Sequence, residues 1–258
     1  MPSATQAESL RSAALPAGHG FFTRRGGVSQ GPYASLNCSL SGDDRRDAVL
    51  ENRARAAAAL GADPARLIGL HQVHGADVVR VTEPWRPGEG GRADAMATDR
   101  PGIALGIITA DCAPVLFADP EAGVIGAAHA GWRGAVAGVL EATIAAMVAL
   151  GADASRIAAA VGPCIAQASY EVAADLRDAI VSHAKDEKFF APGCRSDRWQ
   201  FDLAGYCAAR LAAAGIGAVD VLAVDTLADE ARFFSHRRRT LAGGGPIGHQ
   251  ISVIVRPS

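Results

Sequence analysis

The 258-residue sequence lacks an apolar run long enough to span a membrane. Its best candidate, PGIALGIITADCAPVLFA, is interrupted by Asp111 and Pro114, whereas a membrane helix needs roughly 18 to 20 apolar residues without a charge. The opening MPSATQAESLRSAALPAGHG also lacks the basic start and apolar block of a signal peptide. We therefore expect a protein that does not insert into the membrane and that works in the cytoplasm.

The sequence also has little excess charge of either sign. Its net charge is −2, and its cluster of basic residues, Arg237 to Arg239, is short, so the chain offers no electrostatic surface for DNA or RNA. Its five cysteines are odd in number and scattered, which favours reduced thiols over a disulfide framework. There is no repeat and no linker, and 49% of the residues are hydrophobic, so we predict one continuous globular unit.

Hydrophobic periodicity predicts three helices. The stretch SGDDRRDAVLENRARAAAALG has apolar residues at helical spacing, with Ser41 or Asp43 as the N-cap and Gly61 as the stop. The stretch GAVAGVLEATIAAMVALG predicts a second helix that ends at Gly151. The stretch FDLAGYCAARLAAAG predicts a third, with Asp202 as its N-cap.

Short runs rich in β-forming residues separate these helices. We predict strands in GFFTRRG, ADVVRVT, GIALGIIT, PVLFAD, GVIGAAHA, RIAAAVG and QISVIVR, with ADPEAG as the turn between PVLFAD and GVIGAAHA. Strands and helices do not alternate strictly. This order predicts an α+β layered sandwich rather than a doubly wound parallel sheet.

Several signatures of known catalytic sites are incomplete. GVSQG has the spacing of a nucleophile elbow, but Pro32 follows it where a helix is required, so we interpret Ser29 as a turn residue. AGGGPIG lacks the lysine of a phosphate-binding loop. The zinc nucleobase deaminase signature, H-x-E with P-C-x-x-C, is absent. The seven histidines contain no H-x-H pair, which disfavours a multicopper site.

Three histidines and one cysteine remain as candidates for a site: His71, His74, Cys112 and His129. If the predicted strands lie in one sheet, three of these residues meet at strand ends, because Cys112 follows GIALGIITAD and His129 closes GVIGAAHA. Imidazole and thiolate are zinc ligands, and three protein ligands leave one position open for water or substrate. The alternative is a buried free thiol beside satisfied core histidines. Spacing alone leaves both interpretations open.

Five motifs in order give the chain a specific resemblance. HGFFTRRGGVSQGPYASLN, HQVHGADVV, TADCAPVLFAD, AAHAGWRG and VGPCIAQASYEV, followed by FFSHRR, resemble the YfiH family, which is also called the laccase-domain or multicopper polyphenol oxidase family. The resemblance implies an α+β fold, a single-domain four-layer α/β/β/α sandwich with mixed sheets. It implies a catalytic domain over residues 19–258, after a flexible segment at 1–18. It also implies a zinc site at His74, Cys112 and His129, with His71 as a neighbour and not a ligand.

The resemblance also implies an activity. Similar family members are credited with phosphorolysis of adenosine, inosine and methylthioadenosine, and with adenosine deamination, so the expected partners are purine nucleosides and phosphate. The laccase name leaves copper as a possible metal. The expected catalytic residues are Cys112, His129 and Asp111. The expected substrate contacts are Arg24, Asn37, Arg133 and Tyr170.

Other functions remain open at this stage. Cys112 as nucleophile and His129 as base would make a cysteine hydrolase that edits peptidoglycan precursors. A copper polyphenol oxidase is another alternative, and a binding or redox-partner module without turnover is a third.

The chain departs from the family pattern near its end. Asp225, Thr226 and Leu227 stand where a C-T-Y triplet is typical, His236 stands where tyrosine is common, and His249 replaces an arginine. These changes leave the ligand triad intact.

Overall fold

The computed structural model describes residues 6–184 and 187–256. Its helices are α1 (Arg46–Ala58), α2 (Trp132–Ala137), α3 (Val139–Val148), α4 (Ala174–Ala184), α5 (Leu203–Ala213) and α6 (His236–Leu241). Its strands are β1 (Ser9–Leu10), β2 (Gly18–Phe22), β3 (Leu67–Ile68), β4 (Val78–Arg80), β5 (Ala95–Thr98), β6 (Ala104–Thr109), β7 (Ala113–Asp119), β8 (Val124–Ala130), β9 (Ala158–Val161), β10 (Glu171–Val172), β11 (Phe190–Pro192), β12 (Trp199–Phe201), β13 (Ala218–Val221) and β14 (Gln250–Val255). None of the described helices is both long enough and apolar enough to cross a membrane.

Most strands belong to two large mixed sheets. The five-stranded sheet has the order β1-β2-β14-β6-β3, and the six-stranded sheet has the order β13-β9-β7-β8-β5-β4. Parallel pairing occurs only toward their edges, between β3 and β6, β13 and β9, and β4 and β5. A small antiparallel sheet, β10-β12-β11, stands apart. The predicted strands are confirmed, but β6 lies in a different sheet from β7 and β8.

The two large sheets pack face to face, and helices cover their outer faces. Along β7, Leu116 points into the core between the sheets, whereas Val115 and Phe117 belong to the core beneath α3 and α5. On the far side, Ala56 of α1 packs against Val253 of β14. The layers therefore run helix, sheet, sheet, helix. The predicted four-layer α/β/β/α sandwich of the α+β class is confirmed.

The helices differ from the sequence prediction at their ends. Helix α1 is confirmed, but the expected caps Ser41 and Asp43 are wrong, because the helix begins only after Arg45, whose side chain makes no cap hydrogen bond. The second predicted helix is broken into α2 and α3 at Gly138, which has a left-handed φ of 93°. The third is confirmed as α5, where the Asp202 side chain accepts from the backbone N–H of Gly205.

Regular structure begins before His19, the first residue of the family motifs. Ser9–Leu10 pair with β2 inside the segment 1–18, which the sequence predicts to be flexible, and Ala7 and Leu15 are buried. Backbone pairing and apolar burial together tie this part of the chain to the five-stranded sheet. The five cysteines are free thiols, as expected.

Candidate metal centre

His74, Cys112 and His129 come together where the two large sheets meet. His74 lies in the loop before β4, Cys112 lies in the connection that leaves β6 and enters β7, and His129 lies near the end of β8. The sequence predicts that these residues meet if the predicted strands lie in a single sheet. Instead, the connection through Cys112 crosses from one sheet to the other and places this residue beside the end of β8, where Pro114 pairs with His129. The candidate ligand atoms all lie within 4.8 Å of one another.

The three side chains form an open cluster. Sγ of Cys112 lies 4.0 Å from Nε2 of His74, and the two imidazole rings are edge to face, with centroids 4.7 Å apart. His129 is buried, Cys112 is partly buried and His74 is exposed, so one side of the cluster faces solvent. In tetrahedral zinc sites, ligand atoms stand roughly 3.3–3.6 Å apart. The cluster is therefore close to the spacing that one ion requires.

Gly131 keeps the space between these ligands free. Its backbone, with φ −68° and ψ 161°, is accessible to any residue, so glycine is not needed here for conformation. A Cβ at this position would lie 3.1 Å from Sγ of Cys112 and 3.0 Å from Cδ2 of His74. The donor set and this space both fit a single metal ion.

Asp94 organises two of the three ligands. Its buried carboxylate accepts the Nδ1 proton of His129 at 2.8 Å, which leaves Nε2 of that ring free to bind a metal. It also accepts the backbone N–H groups of Val73, His74 and Gly75, and so fixes the loop in which His74 has a left-handed φ of 62°. Sequence reasoning missed Asp94, because GGRADAMAT contains no motif that marks it.

The cluster also favours a thiolate. Burial opposes ionisation of Cys112, but the neighbouring His129 and His74 outweigh it and lower the pKa of the thiol to about 6. Burial likewise disfavours the charged form of His129, but Cys112 and Asp94 outweigh it and raise the pKa of this imidazole to about 9. A thiolate is the form of cysteine that binds metals and the form that attacks as a nucleophile.

Asp111 ties the C-terminal segment to the residue before Cys112. It has a left-handed φ of 86°, and its buried carboxylate accepts from Oγ1 of Thr226 at 2.7 Å, Oγ of Ser235 at 2.9 Å and the backbone N–H of Arg237 at 2.6 Å. An ionised carboxylate has about four acceptor positions. Most of the acceptor capacity of Asp111 is therefore already used within the protein.

The cluster opens into a pocket of about 440 Å³, a volume typical of small-molecule sites. Besides the candidate ligands, its walls include Asp111, Arg133, Tyr170, His236, Arg237 and His249. Arg133 and Arg237 each bring a guanidinium group to this pocket, so its walls are suited to an anionic or oxygen-rich ligand.

Two expected substrate contacts lie on the pocket walls. Arg133 is exposed, and its guanidinium stacks over the ring of Trp132 at 4.4 Å. The ring of Tyr170 lies 5.4 Å from the guanidinium carbon of Arg237. Burial is the main cause that raises the pKa of Tyr170, so its hydroxyl stays protonated and able to donate.

The other two expected substrate contacts, Arg24 and Asn37, do not line the metal pocket. Arg24 donates from Nε to the carbonyl of Ala34 at 2.7 Å, and its guanidinium lies over the ring of Phe234. Asn37 is fully buried, and its side-chain oxygen accepts from the backbone N–H of His249 at 2.9 Å. Neither side chain lines the pocket; Asn37 supports a residue that does.

The residues that depart from the family pattern cluster around the same pocket. His236 and His249 line it, whereas Thr226, which matches the threonine of the family triplet, donates to Asp111. The carboxylate of Asp225 accepts the backbone N–H of Leu227 at 2.9 Å. The departures therefore change the pocket wall and leave the ligand cluster intact.

Comparisons with known proteins agree with this architecture. A family model described as multi-copper polyphenol oxidoreductase laccase matches residues 18–257. The chain is 46% identical to a Deinococcus radiodurans protein named purine nucleoside phosphorylase, over 96% of this chain and 92% of that protein. It is 39% identical to the Escherichia coli protein named purine nucleoside phosphorylase YfiH, over 86% of this chain and 88% of that protein. The crystal structure of YlmD from Geobacillus stearothermophilus superposes with a TM-score of 0.87 at 31% identity, covering 98% of this chain and all of that one.

Proposed function

The chain belongs to the multi-copper polyphenol oxidoreductase laccase family, as its motifs predict, and on this premise we propose that it is a zinc-dependent purine nucleoside enzyme. It would cleave adenosine, inosine and methylthioadenosine with phosphate, giving the base and ribose 1-phosphate or its 5-methylthio form, and it would deaminate adenosine. The names of its relatives support the processing of purine nucleosides. The observation that carries the proposal is the His74, Cys112 and His129 cluster at the pocket.

In this proposal the cluster holds one zinc ion. When bound, zinc supplies a Lewis acid that polarises an oxygen ligand. Asp94 keeps Nε2 of His129 available by holding the proton on Nδ1, and the thiolate of Cys112 supplies the negative charge that offsets the ion's charge. Copper is the alternative metal, because imidazole and thiolate bind it as well and the family description names it.

The chain's own residues would bind the substrates around this centre. Arg133 and Arg237 carry forked donors that fit phosphate or ribose oxygens, and the protonated hydroxyl of Tyr170 can donate a hydrogen bond to a substrate oxygen. Asp111 is next to Cys112, and its carboxylate can accept one more hydrogen bond, for example from a substrate hydroxyl. Attack of water at purine C6, with loss of ammonia, gives deamination, and attack of phosphate at the anomeric carbon of the ribose, with departure of the purine base, gives phosphorolysis.

Metal analysis paired with a nucleoside assay in phosphate tests the proposal. For protein purified without a histidine tag we expect about one zinc per chain, because the described residues contain one ligand cluster. Chelation should abolish turnover of adenosine and inosine, and zinc should restore it. Several copper ions and no zinc would contradict the proposal and favour a polyphenol oxidase.

A cysteine hydrolase acting on peptidoglycan precursors is the second candidate. The observation in its favour is the electrostatic pairing of Cys112 with His129, which lowers the pKa of the thiol and raises that of the imidazole. A hydrolase of this kind should keep its activity after chelation, whereas the zinc enzyme should lose it. A protein that only binds a partner should turn over no nucleoside under either condition.

A further inference from the structure

A second, smaller pocket of about 210 Å³ lies beside the candidate metal centre. Four residues line both pockets: Ser41, Leu70, Gln72 and Ile108. Arg53 of α1 lines only the smaller one, and the exposed residues His71 and Gly88 form part of its wall. The smaller pocket is therefore open to solvent and has a buried guanidinium at its inner end.

The charge of Arg53 has no counterion among the residues that the structure describes. The residue is only 6% exposed, and its guanidinium donates to the carbonyls of Cys38 at 3.3 Å and Leu67 at 3.4 Å. Both hydrogen bonds are long, and a guanidinium has five donors. Over residues 6–184 and 187–256, no carboxylate forms an ion pair with it. By contrast, the less buried Arg156 and Arg210 each have a carboxylate partner.

The neighbouring thiol does not supply the missing charge. Cys38 is fully buried, and its Sγ donates to the carbonyl of Leu36 at 3.6 Å. Burial raises the pKa of Cys38 to about 12, so the thiol stays neutral. A buried charge without a partner is costly, and the pocket next to Arg53 is the place from which an anion could offset that cost.

Gly69 leaves the guanidinium open on the pocket side. A Cβ at this position would lie 3.1 Å from Nη2 of Arg53, 3.7 Å from Nη1 and 3.8 Å from Cζ. Any larger residue at Gly69 would therefore cover the two nitrogens that can bind an oxyanion through paired hydrogen bonds.

We propose that this pocket binds a small oxyanion, which pairs with the buried guanidinium of Arg53. The volume is below the roughly 300 Å³ at which sites for whole drug-sized molecules begin, so it suits a phosphate or the phosphate end of a larger molecule. This anion site is separate from the one in the proposed function, because Arg53 does not line the metal pocket. Its occupant would contact the shared wall at Leu70 and Gln72, in the segment that leads to His74.

Calorimetric titration of the metal-loaded protein with inorganic phosphate tests this site. Because the metal pocket is also proposed to take phosphate, the wild type should show two phosphate sites, and Arg53→Gln should weaken by about 10-fold or more the site that persists in Arg133→Ala, because it removes a charge-assisted pair. Arg66→Gln is the matched control, since Arg66 also donates only to carbonyls but lies nearer the surface. Its affinity for phosphate should stay at the wild-type value.

Two further variants make the result decisive. Gly69→Ala keeps the charge but covers the guanidinium, so it should also lose phosphate binding, and it decides the question if Arg53→Gln does not fold. Arg133→Ala removes a cation of the metal pocket and should leave this phosphate site intact. Loss of binding in Arg133→Ala with retention in Arg53→Gln and Gly69→Ala would overturn the proposal, as would a wild type that binds no phosphate.

A second titrant identifies the source of the anion. Phenyl phosphate that binds as well as inorganic phosphate, and depends equally on Arg53, would indicate the phosphate end of a larger molecule. Binding of inorganic phosphate alone would indicate the free ion. If Arg53→Gln weakens no binding site for either titrant, the site is contradicted.

Discussion

At the scale of single residues, Asp94 connects the two histidines of the metal centre. We expect Asp94→Asn to lower zinc affinity by about 10- to 100-fold, the usual effect of losing the carboxylate behind a ligating histidine. The asparagine side chain has only one acceptor oxygen, so it cannot accept hydrogen bonds from Nδ1 of His129 and from the three backbone N–H groups as well as the carboxylate does. Competition with a chromogenic chelator measures the affinity.

Asp119→Asn is the matched control for this change. Asp119 is also a buried carboxylate that organises a loop, but it pairs with Arg156 at the far end of β7. This variant should lose stability and keep its zinc affinity. Equal zinc affinity in Asp94→Asn and the wild type would show that Asp94 does not position the ligands.

Arg133 gives a prediction about the two reactions. Because phosphorolysis requires phosphate in the pocket and deamination does not, Arg133→Ala should weaken the use of phosphate more than it weakens adenosine deamination. A loss of about 10-fold or more in kcat/KM for phosphate corresponds to one charge-assisted contact. Parallel assays of inosine phosphorolysis and adenosine deamination measure both. Equal losses would make Arg133 a structural residue or a ribose contact.

The residues of the site were predictable to different degrees. Cys112 and His129 stand out in the sequence because they adjoin the ends of apolar strands, and His74 stands out through the family motif HQVHGADVV. Their meeting depends on a connection that crosses between two sheets, which no local pattern shows. Asp94 carries no signal, because one aspartate before a strand is ordinary in any sequence.

At the scale of elements, helices with strong periodicity were predictable and their ends were not. Helix α1 begins after Arg45 and not at the expected caps, and the carboxylate of Asp44, just before it, accepts from Ser29 and Asn37. This is a tertiary contact between distant parts of the chain. Helices α4 and α6 were not among the predicted helices. Helix α6 has six residues, too few for an apolar period to be seen.

The break between α2 and α3 yields a stability prediction. Gly138 has a φ of 93°, so Gly138→Ala should destabilise the fold by roughly 1–2 kcal/mol. Gly91→Ala is the control, because a Cβ there meets nothing within 4 Å and the φ is not left-handed; it should stay within about 0.5 kcal/mol of the wild type. Urea unfolding of both variants measures the difference. Equal stability would mean that the helices can join through an alanine.

The C-terminal segment makes stability depend on pH. His249 has a buried Nδ1 without a hydrogen-bond partner, and burial, the largest cause, lowers the pKa of this imidazole to about 4. In the unfolded chain a histidine titrates near about 6.5. As the pH falls through this window, the unfolded chain takes up a proton that the folded chain does not, so stability is lost.

His249→Gln should remove that loss. Melting temperatures measured between about pH 7.5 and about pH 5 should fall more steeply for the wild type than for this variant. The other histidines are the same in both proteins, so the difference between the two curves reports His249. Parallel curves would show that His249 has the same pKa in the folded and the unfolded protein.

At the scale of the whole molecule, we expect the fold to form without the metal. Three apolar cores, one between the sheets and one beneath each helical layer, bury enough surface to hold the four layers together. A small zinc finger, by contrast, unfolds without its ion. Function and stability should therefore separate when a ligand is removed.

Cys112→Ala compared with Cys164→Ala tests the central claim most directly. Both cysteines lie near the site, but only Cys112 belongs to the ligand cluster. Zinc content, turnover of adenosine and inosine, and melting temperature are measured for both. Cys112→Ala should lose zinc and turnover together and stay folded, because two histidines alone hold zinc poorly, while Cys164→Ala should keep both. If Cys112→Ala keeps its zinc and still loses activity, the thiol acts as a nucleophile, and the zinc-ligand role is contradicted.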